Sequence, residues 1–248
     1  MKDPFFQSLP KPLLFAHRGA SGEYPQNTLL AFDMAIKQGA VGIETDLHIT
    51  KDRQIVCFHD PELGRLSTLA GLIRDKTRSE LSAARVKHAV FGNETIPTLV
   101  DLLEWLPAEN YLFLELKDRQ FALPQHMELL LNLLAKYNVL HKIILSSFST
   151  ENIDRARRLL PSIPTCHITL WNPSTRIDAD VLSPYYPILW LNPFYAKNAH
   201  RSHRAVAVWD PYPEKRIQYY LDQQVDILTA DNPEKVRAAL QEHQPQPG

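Results

Sequence analysis

The strongest constraint on the fold of this chain is an alternation of short apolar runs with longer segments that carry helix patterning. Nine runs are candidate strands: LLFA, VGIETDLHI, QIVCF, YLFLEL, KIILSS, PTCHIT, PILWLN, AVAVW and VDILT. Helix-capping residues stand between them, with Asn27 or Thr28 before one predicted helix, Thr98 with Asp101 before another and Asn232 before a third. Strands that alternate with helices indicate repeated βα units around a parallel sheet.

About eight such units within 248 residues fit an α/β fold of the (β/α)8 type, the TIM barrel, better than an open doubly wound sheet. With 44% hydrophobic residues the chain can bury a core of its own, so we predict one domain over residues 1–248. Residues 60–97 make a connection longer than an ordinary βα loop. We predict that they form a small insertion after the third strand, beside the functional site.

Charge and hydropathy exclude several classes of partner. A formal net charge of -1 offers no basic surface of the kind that nucleic acid requires, so we predict no nucleic-acid partner. The sequence contains no apolar segment typical of a signal peptide and no run near the ~18 residues of a membrane span. We therefore predict a cytoplasmic protein without a membrane span. Cys57 and Cys166 are far apart and have no metal-binding spacing, which favours buried free thiols.

Titratable residues are concentrated where the predicted strands end. Seven of them stand at such ends: His17, Arg18, Glu44, Asp46, His59, Glu115 and Lys117. In a parallel barrel the C-terminal strand ends meet at one rim, where the βα loops build active sites. We therefore expect all seven side chains to converge on one mouth of the barrel.

Three of these residues are carboxylates that suit a metal ion. Glu44 and Asp46 are two positions apart on a strand, so their side chains point to the same side, and Glu115 comes from another strand. Oxygen ligands without sulfur or a histidine cluster favour one hard divalent cation, Mg²⁺ or Ca²⁺, over a structural zinc. The alternative is that the carboxylates only cap the strand end or pair with Arg18 and Lys117.

The remaining four residues suit acid–base chemistry on a phosphate. His17 and His59 follow two different strands, and histidines that titrate near ~6.5 can take up one proton and donate another. Arg18 offers a planar fork and Lys117 a point charge for an anionic substrate. Trp209, at the end of another strand, is a candidate wall for the carbon skeleton of a substrate, with core packing as the alternative. The sequence contains no glycine-rich nucleotide-binding loop, which argues against a nucleoside triphosphate or a dinucleotide as ligand. A simpler phosphoester remains as the candidate substrate.

The order of these motifs resembles the glycerophosphodiester phosphodiesterase family, and in particular its short cytosolic bacterial members. That family typically carries HRG, PENT, E-x-D, HD, E-x-K and a late segment similar to VDGIITD-x-P. The corresponding segments here are HRG at 17–19, PQNT at 25–28, ETD at 44–46, HD at 59–60, ELK at 115–117 and VDILTADNP at 225–233. The match is in order and spans residues 13 to about 240.

The resemblance implies a (β/α)8 barrel and hydrolysis of a glycerophosphodiester to an alcohol and sn-glycerol 3-phosphate. By resemblance, the residues divide into metal ligands, an acid–base pair and phosphate-binding cations: Glu44, Asp46 and Glu115; His17 and His59; Arg18 and Lys117. The family mechanism lets the 2-hydroxyl of glycerol attack phosphorus, which gives a cyclic phosphate that water then opens. Two alternatives stay open: a phosphodiesterase similar to a lysophospholipase D, and a non-catalytic protein that binds a phosphate ligand.

Three positions depart from the family pattern. Gln26 replaces the glutamate of PENT, Asp210 follows Trp209 where threonine is common, and Ala230 stands where threonine is usual. An amide keeps the reach of a glutamate and loses its charge. Our hypothesis is that Gln26 holds Arg18 or the following loop by hydrogen bonds, with Glu23 restoring the charge.

Overall fold

The computed structural model describes residues 9–243, so residues 1–8 and 244–248 of the predicted domain lie outside the described part. Its strands are β1 Leu13–His17, β2 Gly42–Ile49, β3 Ile55–Cys57, β4 Tyr111–Leu116, β5 Ile143–Ser147, β6 Thr165–Thr169, β7 Val181–Pro184, β8 Ala205–Trp209 and β9 Ile227–Ala230. Eight of them pair in parallel in the order β1-β2-β4-β5-β6-β7-β8-β9, and β9 pairs with β1. The predicted (β/α)8 barrel is therefore confirmed.

The outer helices of the described residues begin largely where capping residues predict them. They are α1 Leu29–Lys37, α2 Arg78–Leu81, α3 Leu99–Trp105, α4 Pro124–Lys136, α5 Thr150–Leu159, α6 Pro187–Leu191, α7 Tyr195–Arg201, α8 Ile217–Asp222 and α9 Pro233–Glu242. Thr28 caps α1, Thr98 and Asp101 form a capping box on α3, and Asn232 caps α9. Within residues 9–243, no helix combines the length and the apolar character that crossing a membrane requires.

One predicted strand is wrong. The run PILWLN contains the short helix α6, and the barrel strand at this point is β7, which ends at Pro184. The apolar run is not buried on both faces as a barrel strand would be, because Trp190 is 51% exposed and Leu191 is 86% exposed. Ile188 and Leu189 of α6 are buried in the core, whereas Trp190 and Leu191 face outward.

The strand β3 lies outside the barrel and runs antiparallel to β2. The long strand β2 extends past the mouth, and β3 returns along it, with Leu47 opposite Cys57 and the amide of Phe58 donating to the carbonyl of Asp46 at 2.9 Å. This hairpin carries His59 back down to the rim. The expected position of His59 is therefore correct, whereas the reason given for it, a parallel strand that ends at the rim, is wrong.

Residues 60–97, which we call the insertion segment, lie between β3 and α3. They contain a 3-10 turn at Ile73–Asp75, the helix α2 and part of a separate apolar cluster, formed by Val56, Phe58, Leu63, Ile73, Leu81, Ala84, Val86 and Ile96. Phe91 stacks on Tyr24, with ring centroids 5.2 Å apart. The insertion segment thus packs beside the loop that follows β1.

The barrel interior below the mouth is filled by apolar side chains from its strands: Leu13, Phe15, Tyr111, Phe113, Ile144, Cys166, Val181, Ala205, Ala207 and Ile227. Because side chains alternate between the two faces of a strand, the residue two positions further along points inward at the next level up. His17 follows Phe15 in this way, Glu115 follows Phe113, and Ser146 follows Ile144. The polar layer at the mouth therefore rests on a packed apolar floor.

We expect Gly42→Ala to destabilise the barrel. A Cβ at this position would lie 2.5 Å from the ring of Phe15 and 2.6 Å from the carbonyl oxygen of Tyr111, so the floor would have to shift. Overpacking of this kind lowers the free energy of unfolding by about 1–3 kcal/mol, which urea denaturation would measure.

The matched control is Gly92→Ala, since no atom lies within 4 Å of a Cβ built at Gly92. Both substitutions reduce the conformational freedom of the unfolded chain to a similar degree, so their difference reports the clash at Gly42. Equal stability of the two variants would contradict this view of the floor.

Candidate active site

A cavity of about 550 Å³ opens at the C-terminal mouth of the barrel, and we call it the mouth cavity. Seven of the eight predicted site residues line it: His17, Arg18, Glu44, His59, Glu115, Lys117 and Trp209. The eighth, Asp46, is fully buried next to it and contacts Arg18 and Lys117. The structure therefore brings all eight residues together at one mouth of the barrel.

Three carboxylates meet on one side of the mouth cavity. Glu44 and Asp46 on β2 and Glu115 on β4 each place one oxygen within 4.8 Å of the others, and all three residues are buried. The pairing of β2 with β4 puts Asp46 directly beside Glu115. Because three buried carboxylates this close together repel one another when ionised, their ionised forms require positive charge nearby.

The pKa values of the three carboxyl groups diverge. Burial, together with the charge of Asp46, raises the pKa of Glu115 to about 7. Burial and the same neighbour also hold the pKa of Glu44 well above its ordinary value. Burial alone would do the same to Asp46, but the charges of Arg18 and Lys117 outweigh it and hold the pKa of Asp46 well below its ordinary value.

The two cations of the site satisfy these acids only in part. Nε of Arg18 lies 3.1 Å from Oδ2 of Asp46, and Nζ of Lys117 lies 3.0 Å from Oε1 of Glu115 and 3.4 Å from Oδ1 of Asp46. Oδ1 of Asp46 is buried and accepts no hydrogen bond from any of residues 9–243. Pairing with Arg18 and Lys117, the alternative raised by the sequence, therefore occurs, yet three acids face two cations. A buried, all-oxygen donor set with an unsatisfied oxygen fits a hard divalent cation.

Asn27 orients Asp46 from below. Its Nδ2 donates to Oδ2 of Asp46 at 2.8 Å, and its Oδ1 accepts a hydrogen bond from Oγ1 of Thr45 at 2.6 Å. Asn27 is fully buried and has a φ of 57°, a left-handed conformation that asparagine tolerates better than most residues. The PQNT segment thus contributes a fixed amide to the carboxylate cluster.

A sharp turn after β1 aims Arg18 back into the site. Arg18 has a φ of 58° and Gly19 a φ of 81°, and a Cβ on Gly19 would lie 2.6 Å from the backbone of Ala31. The amide of Arg18 donates to the backbone carbonyl of Glu44 at 2.9 Å. Glycine at this position lets β1 stop abruptly while Arg18 stays bound to β2.

His17 is backed by a carboxylate from β9. Its Nδ1 lies 2.6 Å from Oδ1 of Asp231, and Oγ of Ser21 donates to the same oxygen at 3.3 Å. Since a carboxylate can only accept, Nδ1 carries the proton and Nε2 is left as the reactive nitrogen of the neutral ring.

His59 has the same kind of support. Its Nδ1 lies 2.7 Å from Oδ1 of Asp60, which in turn accepts from Arg65 at 2.6 Å. Its Nε2 faces the site and lies 3.2 Å from Nζ of Lys117. Burial lowers the pKa of His59 to about 4, with the charges of Arg18 and Lys117 adding to the effect. In the protein without a bound cation or substrate, His59 is therefore neutral at pH 7.

Gln26 contacts Arg18, as the sequence hypothesis expects. Nη1 of Arg18 donates to Oε1 of Gln26 at 2.8 Å. Glu23 does not restore the missing charge, because its Oε1 accepts from Nδ2 of Asn232 at 2.8 Å and its side chain is exposed. This second half of the hypothesis is wrong, and the guanidinium of Arg18 is shared between a carboxylate and an amide.

The opposite side of the mouth cavity is aromatic. Trp209 lies between two rings, with centroid distances of 5.2 Å to Tyr185 and 6.4 Å to Phe148. The other two departures from the family pattern do not line the cavity. Asp210 is buried against Tyr220 and Arg216, and Ala230 is buried within β9.

Several residues of the site were not predicted from the sequence: Asn27, Phe148, Ser146 and Asp231. Asp231 could have been found, because it is two residues beyond Thr229, which points into the barrel mouth from β9. Ser146 lines the cavity without belonging to any nucleophile motif, and its buried Oγ makes no hydrogen bond within the described residues. Phe148 lies just beyond β5, where no polar pattern marks it.

Comparison with known proteins adds independent information on this site. The model of the glycerophosphoryl diester phosphodiesterase family matches residues 17–235. The match begins at His17 and extends past Asp231, so it contains all eight predicted site residues.

Individual relatives match over nearly their whole length. The chain is 31% identical over 237 residues to the uncharacterized protein YqiK of Bacillus subtilis, covering 92% of this chain and 98% of that protein. It is 28% identical over 233 residues to the glycerophosphodiester phosphodiesterase of Bacillus altitudinis, covering 90% and 95%. The structure of an Oleispira antarctica phosphodiesterase in complex with the product sn-glycerol-3-phosphate has a TM-score of 0.83 at 24% identity, covering 93% of this chain and 97% of that one. The last comparison shows a shared fold.

Proposed function

The chain belongs to the glycerophosphoryl diester phosphodiesterase family, and from this premise we propose that it hydrolyses glycerophosphodiesters to an alcohol and sn-glycerol 3-phosphate with the help of one divalent cation. The observation that carries the proposal is the composition of the mouth cavity. Three buried carboxylates, two histidines that are each backed by an aspartate, and two cations surround one space. This is the set of groups that metal-assisted cleavage of a phosphodiester needs.

Glu44, Asp46 and Glu115 would hold the cation, and their oxygens suit Mg²⁺ or Ca²⁺. When bound, the ion would supply positive charge to the phosphoryl oxygens and to the carboxylates themselves. Asn27 keeps Asp46 in one orientation by donating a hydrogen bond to it. A metal ligand that is already held in this way loses little freedom when it binds the ion. The unsatisfied Oδ1 of Asp46 is the donor that gains most from it.

Arg18 and Lys117 would bind the phosphate. Both line the mouth cavity and both have their positions fixed by Asp46. Arg18 presents hydrogen-bond donors in a planar fork, while Lys117 provides a compact charge next to His59. Trp209, with the aromatic rings beside it, would contact the carbon skeleton of the substrate.

His17 and His59 would move the protons. One imidazole takes the proton of the glycerol 2-hydroxyl as that oxygen bonds to phosphorus, and the other gives a proton to the departing alcohol as its bond to phosphorus breaks. The resulting cyclic phosphate is opened by water, with the two histidines exchanging roles. Asp231 and Asp60 hold each ring with Nδ1 protonated, which leaves Nε2 as the atom that exchanges protons.

The direct test is release of sn-glycerol 3-phosphate from a panel of glycerophosphodiesters. We expect turnover with Mg²⁺, Ca²⁺ or Mn²⁺ and none after chelation, and a lysophospholipid in the same panel tests the rival substrate class. Failure to cleave any substrate with any of these ions would overturn the proposal and favour a binding protein. The cytoplasmic location and the absence of a nucleic-acid partner stay predictions from the sequence.

Gln26→Glu is expected to change kcat/KM by less than about tenfold, because Arg18 already donates a hydrogen bond to Gln26 and is paired with the charge of Asp46. Steady-state kinetics on the preferred substrate would measure the change, with Gln26→Ala as the variant that removes the contact. An increase of several orders of magnitude in Gln26→Glu would show that the natural enzyme is weakened by its amide.

A further inference from the structure

A second cleft, of about 870 Å³, adjoins the mouth cavity on the side of the insertion segment, and we call it the basic cleft. His59 and Lys117 line both spaces. Arg74 and Arg119 line the basic cleft and not the mouth cavity. The two spaces therefore meet at one of the two proposed proton-transferring histidines and one of the two proposed phosphate-binding cations.

The two arginines come from different parts of the fold. Arg74 is in the 3-10 turn of the insertion segment, where its neighbour Ile73 is buried and anchors the backbone. Arg119 begins the 3-10 turn that follows β4, two residues beyond Lys117. The insertion segment and the barrel rim thus each contribute one guanidinium group to the same cleft.

Their charge is not neutralised within the described part of the chain. Both side chains are exposed, and neither has an ion-pair partner among residues 9–243. Asp118 also lines the basic cleft and contributes one negative charge there, but it forms no ion pair with either arginine, and its two oxygens accept hydrogen bonds from the backbone amide and the side-chain amide of Gln120, at 2.9 and 3.0 Å. Arg74 and Arg119 are therefore free to bind an anion.

A phosphodiester whose phosphate is held at Lys117 carries two alcohol groups, one of which is glycerol. The mouth cavity and the basic cleft differ in the chemistry that they offer to these two groups. The mouth cavity offers the rings of Trp209 and Phe148 and the unsatisfied hydroxyl of Ser146, which suit a short polyol. The basic cleft offers guanidinium groups, which suit phosphate through paired hydrogen bonds. With glycerol in the mouth cavity, the basic cleft would be an adjoining space for the leaving alcohol.

We propose that the basic cleft binds the leaving alcohol and selects glycerophosphodiesters whose alcohol carries a further phosphate group. This inference rests on the proposed function, since it concerns the second arm of the same substrate. A cationic alcohol such as choline would meet two arginines against one carboxylate, Asp118, there and bind less well. The enzyme therefore acts preferentially on phosphorylated polyol esters.

The test compares two substrates that differ by one phosphate: glycerophosphoglycerol, and the same compound with a phosphate monoester on its second glycerol. We expect the wild-type enzyme to favour the phosphorylated substrate in kcat/KM by about tenfold or more, and to lose most of this preference as sodium chloride rises from ~0.05 to ~0.5 M. A third substrate, in which the extra phosphate is an internal diester to another glycerol, distinguishes a terminal phosphate from a phosphate within a chain. Glycerophosphocholine serves as the cationic reference.

The variant Arg74→Gln/Arg119→Gln should bring the ratio of the two kcat/KM values to within about twofold of unity. A ratio measured within one protein is unaffected by a general loss of folded enzyme. Arg158→Gln, an exposed arginine on α5 outside the cleft, is the matched control and should keep the wild-type ratio. Equal use of both substrates by the wild type, or an unchanged ratio in the double variant, would overturn the inference. Absence of turnover with every substrate would instead count against the proposed function.

Discussion

Replacing Glu115 by glutamine is expected to make the metal-free protein more stable while it removes the activity. The pKa of Glu115 is raised from 4.5 to about 7 by burial and by the charge of Asp46, so the folded protein opposes ionisation of this group even with Lys117 beside it. Above pH 7 the ionised carboxylate costs stability, and the neutral amide of glutamine does not. We expect a gain of roughly 1–3 kcal/mol in the free energy of unfolding at pH 7.5 in the presence of a chelator.

The direction of this stability change follows from how the free energy of unfolding depends on pH. Because the folded pKa of Glu115 lies above the unfolded one, its contribution to stability is retained at low pH and lost as pH rises from about 4.5 to 7. The pKa of His59 is lowered, so its contribution runs in the opposite direction over the same range. The difference between wild type and Glu115→Gln cancels the term from His59. It should grow from near zero at pH 4.5 to its full value above pH 7.

Urea denaturation of both proteins at several pH values, with chelator, measures this difference. Activity should fall by more than about 100-fold, since loss of even a hydrogen-bond partner of a metal ligand costs 10–100-fold. Stabilisation by added Mg²⁺ or Ca²⁺ should be present in the wild type and greatly reduced in the variant. Glu109→Gln, at an exposed position away from the site, is the control for removing one negative charge. A variant that is less stable than the wild type at pH 7.5 would show that the pairing with Lys117 outweighs burial.

The second large effect is expected from His17→Gln and His59→Gln. Each substitution removes one proton-transferring group while the cavity and its charges stay in place, so kcat/KM should fall by about 10²–10⁴-fold in each case. An ester of glycerol 3-phosphate with 4-nitrophenol distinguishes their roles, because nitrophenolate departs without a proton. The histidine that acts as acid is then largely dispensable, whereas the histidine that acts as base is not.

Steady-state kinetics of both variants on glycerophosphocholine and on the nitrophenyl ester would assign the two roles. His141→Gln, at an exposed position remote from the mouth, controls for the loss of an imidazole. If either variant kept more than half of the wild-type activity on glycerophosphocholine, that histidine would have no part in proton transfer. If neither variant recovered on the nitrophenyl ester, the proposed division into acid and base would be wrong.

The carboxylates and cations could be predicted from the sequence because their positions follow from strand polarity alone. Glu44, Asp46, Glu115 and Lys117 belong to β2 and β4 or follow directly, and these strands are long and strongly apolar at their start. Parallel strands leave their polar ends at one rim, whichever way the helices pack. The contacts among the side chains required the structure, since Asn27 reaches Asp46 only through the turn after β1.

Two strands show where sequence patterning fails. The run PILWLN is short and apolar enough for a buried strand, and periodicity alone does not separate such a run from a short helix. The true strand β7 has four residues and ends in proline, which gives it little signal. The orientation of β3 could have been found, because five residues separate it from β2 and a parallel crossover needs about a dozen or more.

The hairpin of β2 and β3 has a consequence for how freely this enzyme can diversify. In this hairpin the amide of Phe58 donates to the carbonyl of Asp46, which places the next residue, His59, beside the carboxylate cluster before the chain enters the insertion segment. The spacing between the carboxylate cluster and this histidine is thus independent of the length and composition of residues 60–97. As long as Asp60 and Arg65 are kept to hold His59, evolution can remodel the rest of that segment, and with it the side chain at position 74 and the choice of leaving alcohol, without disturbing the reacting groups. The barrel keeps the chemistry constant, and the segment beside it is where new substrates can be acquired.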